Sequence, residues 1–108
     1  MAFDYKKLTR DLIEAKDAAL KAVMGDEGGS ANLDCIALSL PRLREEKVIE
    51  AVKEAGLYTR GKTNWIGMRY FIHAPHGSQG NDNTAQIEAM YDCLKEKGYD
   101  VLIFYKTD

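Results

Sequence analysis

The sequence predicts an α+β protein in which an N-terminal helix precedes a ferredoxin-like β-α-β-β-α-β two-layer sandwich. Three observations carry that reading. Two segments repeat one plan: an apolar strand ends in Leu40-Pro41 or Ala74-Pro75, a helix follows, and Gly56 or Gly98 closes it. Between them, residues 64–73 alternate with the two-residue rhythm of a strand. Ahead of both lies a segment whose apolar residues recur in steps of three and four. The chain divides accordingly into residues 1–25, a helix expected to serve oligomerisation, a linker over 26–31, and an α/β ligand-binding domain over 32–108.

Asp4 is placed to cap the first helix, which is expected to run to about Met24 with Tyr5, Leu8, Leu12, Ala15, Ala19 and Val23 on one stripe. Arg10 with Glu14, and Asp17 with Lys21, are spaced to pair on its polar side. The glycines of residues 25–30 then break the chain. A first strand is expected from about Asn32 to Leu40, with Pro41 as the first residue of a helix ending before Gly56. A short strand over Leu57 to Arg60 would turn through Gly61 and Lys62 into a longer one from Asn64 to His73. In that strand Ile66, Met68, Tyr70 and Ile72 fall on one face, and Gly67, Arg69, Phe71 and His73 on the other. Asn83 with Gln86, or Thr84 alone, fits the cap of the last helix, and Tyr99 to Lys106 supplies the final strand.

Composition narrows the function. The chain has 108 residues, 45% of them hydrophobic and 30% charged, which suits one modest core. A formal charge of -2 gives no basic footprint for long nucleic acid. No apolar run approaches a membrane span and residues 1 to 20 are charged throughout, so a cytoplasmic protein with no membrane partner is expected. Cys35 and Cys93 are too few for a disulfide framework or a zinc site and read as reduced packing residues. No cofactor and no metal are expected.

The candidate site is the stretch from His73 to Thr84. Pro75 to Gly98 exceeds Pro41 to Gly56 by the length of His76 to Asn83, and a long loop between a strand end and a helix start is more often functional than its neighbours. Gly77, Gly80, Asn81, Asp82, Asn83 and Thr84 would present backbone and side-chain donors at a helix N-terminus, where an anion is favoured. Phe71 offers a face for a base, phosphates would lie near Arg69 or the helix start, and His73 and the loop from His76 complete the pocket. The competing reading is that Asn83 or Thr84 only caps and the glycines only turn. Arg42 and Arg44 oppose the dipole of the helix they begin, which points to an acidic partner or a phosphate unless they are simply solvated. No serine or cysteine sits in an activating context, so an enzyme is not expected; His76 in a phosphoesterase is the catalytic alternative. The mixed face of the long strand, with Leu102 and Phe104 beside it, reads as a wet pocket or an interface and favours a homo-oligomer.

A phenylalanine on a strand, an asparagine ten residues later and an arginine upstream, here Phe71, Asn81 and Arg44 or Arg42, together with the leading helix, resemble the small phage proteins that counter Thoeris defence. The resemblance covers residues 40–108. It implies a sponge that binds a cyclic ADP-ribose-type signal without cleaving it, assembles as an oligomer and in some members holds a cyclic oligonucleotide at a second site. Where that pattern leads one to expect an aspartate two residues after the asparagine, this chain has Asn83, with Asp82 adjacent. The expected function is thus non-enzymatic sequestration of a small nucleotide signal, countering bacterial antiviral signalling in the host cytoplasm. The alternative is a small interaction or inhibitor module docking through its sheet face.

Overall fold

The computed structural model describes residues 3–25, 28, 34–76 and 80–105. Three helices cover one face of a four-stranded antiparallel sheet in a two-layer α+β arrangement. The elements are α1 (Tyr5–Lys21), β1 (Cys35–Ser39), α2 (Glu45–Glu54), β2 (Lys62–Asn64), β3 (Met68–Ile72), α3 (Gly80–Glu96) and β4 (Asp100–Phe104). The strands lie in the order β2-β3-β1-β4, with Ala37 opposite both Phe71 and Leu102. Ile36, Leu38, Tyr70, Ile72 and Val101 point from the sheet into the core beneath the helices, as a two-residue period requires. Burial, with the charges of Glu45, Tyr5 and Glu46 behind it, pushes the Tyr70 phenol up to about 12, so it stays protonated at the centre of that core.

Asp4 caps α1 as expected, its carboxylate accepting from the Lys7 amide at 3.0 Å. Leu8, Leu12, Ala15 and Ala19 are fully buried, because α1 lies mainly against α3 and also against α2 of its own chain. The apolar stripe expected to serve assembly is therefore occupied within the chain. Glu14 pairs with Lys97, in the turn after α3, and not with Arg10.

A polar lock fixes this packing. Asp11, almost buried, accepts from Lys7 Nζ at 2.7 Å and from the Tyr99 hydroxyl at 2.6 Å, with Lys97 Nζ 3.8 Å away. Burial alone would raise its carboxyl, but the hydrogen bonds from Lys7 and Tyr99 and the charges of Lys7 and Lys97 outweigh it and hold Asp11 below the ordinary value of 3.8. A depressed folded-state value means the stabilisation is complete above the unfolded-state value and is lost as pH falls through the folded-state one. Asp11→Asn is therefore expected to flatten the acid limb of a stability-pH curve below about pH 4, as followed by urea unfolding. An unchanged limb would show that Asp11 is not the group responsible.

Several expected boundaries move. Helix α1 stops at Lys21, not Met24, and of the expected linker only Gly28 lies within the described residues. Residues 32 and 33 of the first expected strand lie outside them, and the ladder spans Cys35–Ser39. Pro41 does not open α2. It sits in a turn that puts Arg42 at φ 65, and the helix starts at Glu45 with Glu45 and Glu46 in its first turn, where carboxylates suit the dipole. Leu57 to Arg60 joins no ladder, and β2 occupies Lys62–Asn64 instead. Gly61, at φ 116, is needed there: a Cβ would meet the Glu45 carboxylate at 2.6 Å, and that carboxylate accepts the Lys62 amide at 2.8 Å. The hairpin turns through residues 65–67, so Ile66 and Met68 are exposed and, of the set expected to face the helices, only Tyr70 and Ile72 are buried. Asn83 and Thr84 do not occupy the N-cap position expected of them, since α3 begins at Gly80 and contains both.

Candidate functional site

The sheet face opposite the helices carries Cys35 and Ala37 of β1, Arg69 and Phe71 of β3, and Leu102 and Phe104 of β4, by the alternation that sends their neighbours into the core. Phe71 and Phe104 stack across the central strand with ring centroids 5.0 Å apart and planes 18° from parallel. Trp65, from the hairpin turn, stands edge-on to both, at 5.8 Å from Phe71 and 4.9 Å from Phe104. Three rings thus form a half-buried aromatic layer over β1.

Beside that layer a groove of about 450 Å³ opens, lined by Cys35, Tyr58, Arg60, Gly61, Thr63, Phe71, His73 and Phe104. Its volume falls within the roughly 300–1,000 Å³ typical of small-molecule sites. The segment before β2 builds one wall: Leu57 and Thr59 are buried, while Tyr58 and Arg60 are exposed. The Tyr58 ring stacks on the His73 imidazole, centroids 6.3 Å apart and planes 23° from parallel. Desolvation of His73, together with the positive charge of Arg60, lowers its pKa below the ordinary 6.5, so it is neutral at pH 7. The groove therefore offers two stacked phenylalanine rings, a guanidinium, a neutral imidazole, a phenol and a threonine hydroxyl. Such a set can pack against a flat ring and hold an anion at one end.

The structure brings together only part of the expected site. Phe71 and His73 line the groove. Arg69, expected to meet phosphate, lies on the same face but is 6% exposed and committed. It donates to Ile66 O at 2.9 Å, Ala37 O at 3.2 Å, Asp100 O at 3.3 Å and Asp100 Oδ1 at 3.2 Å. Arg69 is thus a strap across the sheet. Arg42 and Arg44 do not converge with the rest, because β1 runs antiparallel to β3 and the turn after β1 lies at the other end of the sheet. There the Arg44 amide donates to the Tyr5 hydroxyl at 3.1 Å, and its guanidinium is 3.7 Å from Glu46.

Part of the expected loop is helix. Gly80, Asn81, Asp82, Asn83 and Thr84 form the first turn of α3, on the helix-covered side of the sheet, while Gly77 lies outside the described residues. Their polar groups hold the chain together: Asp82 accepts the Met24 amide at 3.0 Å, the Asn81 amide donates to Gly28 O at 2.9 Å, and Asn83 and Thr84 reach Asp34 at 3.5 Å. Gln86, fully buried, clasps the His76 backbone from both sides, accepting its N–H at 3.0 Å and donating to its carbonyl at 3.1 Å. Tyr58, Arg60 and Thr63 were not among the expected site residues; the alternation from Leu57 to Arg60 is the sequence signal that could have found the first two.

Among the described residues no group of three histidine, cysteine, aspartate or glutamate side chains is placed to hold a metal ion. Cys35 is buried in β1 and Cys93 is half-buried in α3, its thiol raised by burial; neither is bridged. No helix among the described residues is long and apolar enough to cross a membrane. No protein-family model, curated protein or solved structure matches this chain significantly.

Proposed function

We propose that this chain is a non-catalytic binding protein that captures a small nucleotide signal in the groove on its helix-free sheet face. The observation that carries the reading is the pairing of a stacked Phe71–Phe104 floor with the Arg60 guanidinium on the opposite wall of one 450 Å³ groove. A base packs on the rings, and the phosphate meets Arg60 with Tyr58, His73 and Thr63 as neutral hydrogen-bond partners. The β-α-β-β-α-β order and the antiparallel β4-β1-β3-β2 sheet support assigning the domain to the ferredoxin-like arrangement. Sequestration of a defence signal in a bacterial cytoplasm is the use that the phage-protein resemblance suggests.

Titration calorimetry against a nucleotide panel tests the proposal, with cyclic mononucleotides, cyclic ADP-ribose isomers and cyclic dinucleotides as titrants. Binding by at least one, weakened tenfold or more by Phe71→Ala and by Arg60→Ala, is the expected result; heat-denatured samples should return the nucleotide intact. Silence across the panel sinks the reading, and a chemically altered nucleotide would make the protein an enzyme.

A second reading, docking of a protein partner or another copy across the same side, is favoured by one observation. Ile66 and Tyr105 are 65% and 66% exposed around a second groove at the β4 edge that Trp65, Tyr91, Leu102 and Ile103 also line. Sedimentation of the wild-type protein and an Ile66→Asp variant separates self-association from a monomer.

A further inference from the structure

The groove's charge count specifies its ligand more narrowly than its shape does. Among the described residues lining it, Arg60 is the one cation. Arg69 shares the face but spends its guanidinium on Ile66, Ala37 and Asp100 beneath the rings. Lys62 alternates away, since it lies opposite Tyr70, whose side chain enters the core, whereas Thr63 lies opposite Arg69 on the open face. His73 is neutral at pH 7, and Tyr58, Thr63 and Cys35 are not cationic side chains. One negative charge can be matched. A second would be drawn from water against neutral walls and aromatic rings, which is unfavourable without a partner.

Building on the capture reading above, we infer that the groove selects a planar heteroaromatic ligand carrying a single negative charge, the chemistry of a cyclic mononucleotide with its one phosphodiester. Open mononucleotides carry close to two charges on the terminal phosphate at neutral pH. Cyclic ADP-ribose carries a pyrophosphate, and cyclic dinucleotides carry two diesters. Each brings one charge more than Arg60 can meet. The Phe71 and Phe104 rings are tolerant of base identity, because any base offers a flat face. Selectivity therefore resides in charge and not in the base.

The experiment is a set of calorimetric titrations at pH 7.5 with 3′,5′-cyclic AMP, 3′,5′-cyclic GMP, AMP, a cyclic ADP-ribose isomer and a cyclic dinucleotide. Both cyclic mononucleotides are expected to bind at least tenfold more tightly than the other three. Thr63→Lys, which adds a second cation on an exposed wall position, is expected to move the AMP to cyclic AMP affinity ratio at least tenfold towards AMP. Tighter binding of the pyrophosphate or dinucleotide ligand overturns the charge rule while leaving nucleotide capture standing. An unmoved ratio in the lysine variant overturns it as well. Silence across all five ligands, in the wild type and the variant, removes the capture reading itself.

Discussion

Replacing Arg69 by methionine is expected to destabilise the fold by about 2–4 kcal/mol, seen as a lower urea midpoint at unchanged slope. The guanidinium makes four hydrogen bonds, three of them to the carbonyls of Ile66, Ala37 and Asp100. Methionine preserves the packing of the stem over the sheet but strands those acceptors. Hydrogen bonds to a charged donor contribute about 1.5–3 kcal/mol each, though their losses do not simply add. The Asp100 carboxylate is two-thirds exposed, so its own share is small, and Asp100→Asn should cost less than about 1 kcal/mol. Arg69→Lys should recover less than half of the loss, since an ammonium cannot span the hairpin turn, the central strand and the edge strand together. A methionine variant within about 0.5 kcal/mol of wild type would show that the strap is dispensable.

Leu12→Ala should cost about 2–5 kcal/mol, because the side chain is fully buried where α1 meets the rest of the core. Its neighbour Ile13 is 40% exposed, and Ile13→Ala should change stability by less than about 1 kcal/mol. The contrast tests whether α1 is an integral layer of the domain. If the helix instead docks only in an assembly, the Leu12 effect will depend on protein concentration and the monomer will show little of it. Unfolding measured at two concentrations tenfold apart distinguishes these outcomes.

Local rules made much of this fold legible. Asp4 caps α1 because an aspartate three residues before a free amide has little else to do, and Tyr70 and Ile72 enter the core by simple alternation. Pro41 misled because proline suits a first helical turn, yet it equally suits a tight turn, and the Glu45-Glu46 pair marked the true start. The surplus of His76 to Asn83 misled more deeply. α3 has 17 residues against 10 in α2, so most of the added length became helix. Nothing local reveals this, since Gly80 at φ 61, two asparagines and an aspartate look like a loop until Met24, Gly28 and Asp34 arrive as partners from distant parts of the chain. The composition of the open face was readable, but the loss of Arg69 to Asp100 was not: that pairing depends on β1 lying between β3 and β4, a long-range fact.

The single tryptophan of the chain stands edge-on to both rings that floor the groove. Its emission is thus an intrinsic optical gauge of occupancy. A guest that slides onto Phe71 and Phe104 changes the polarity around one indole and no other, so native fluorescence reports the fraction filled without any attached dye.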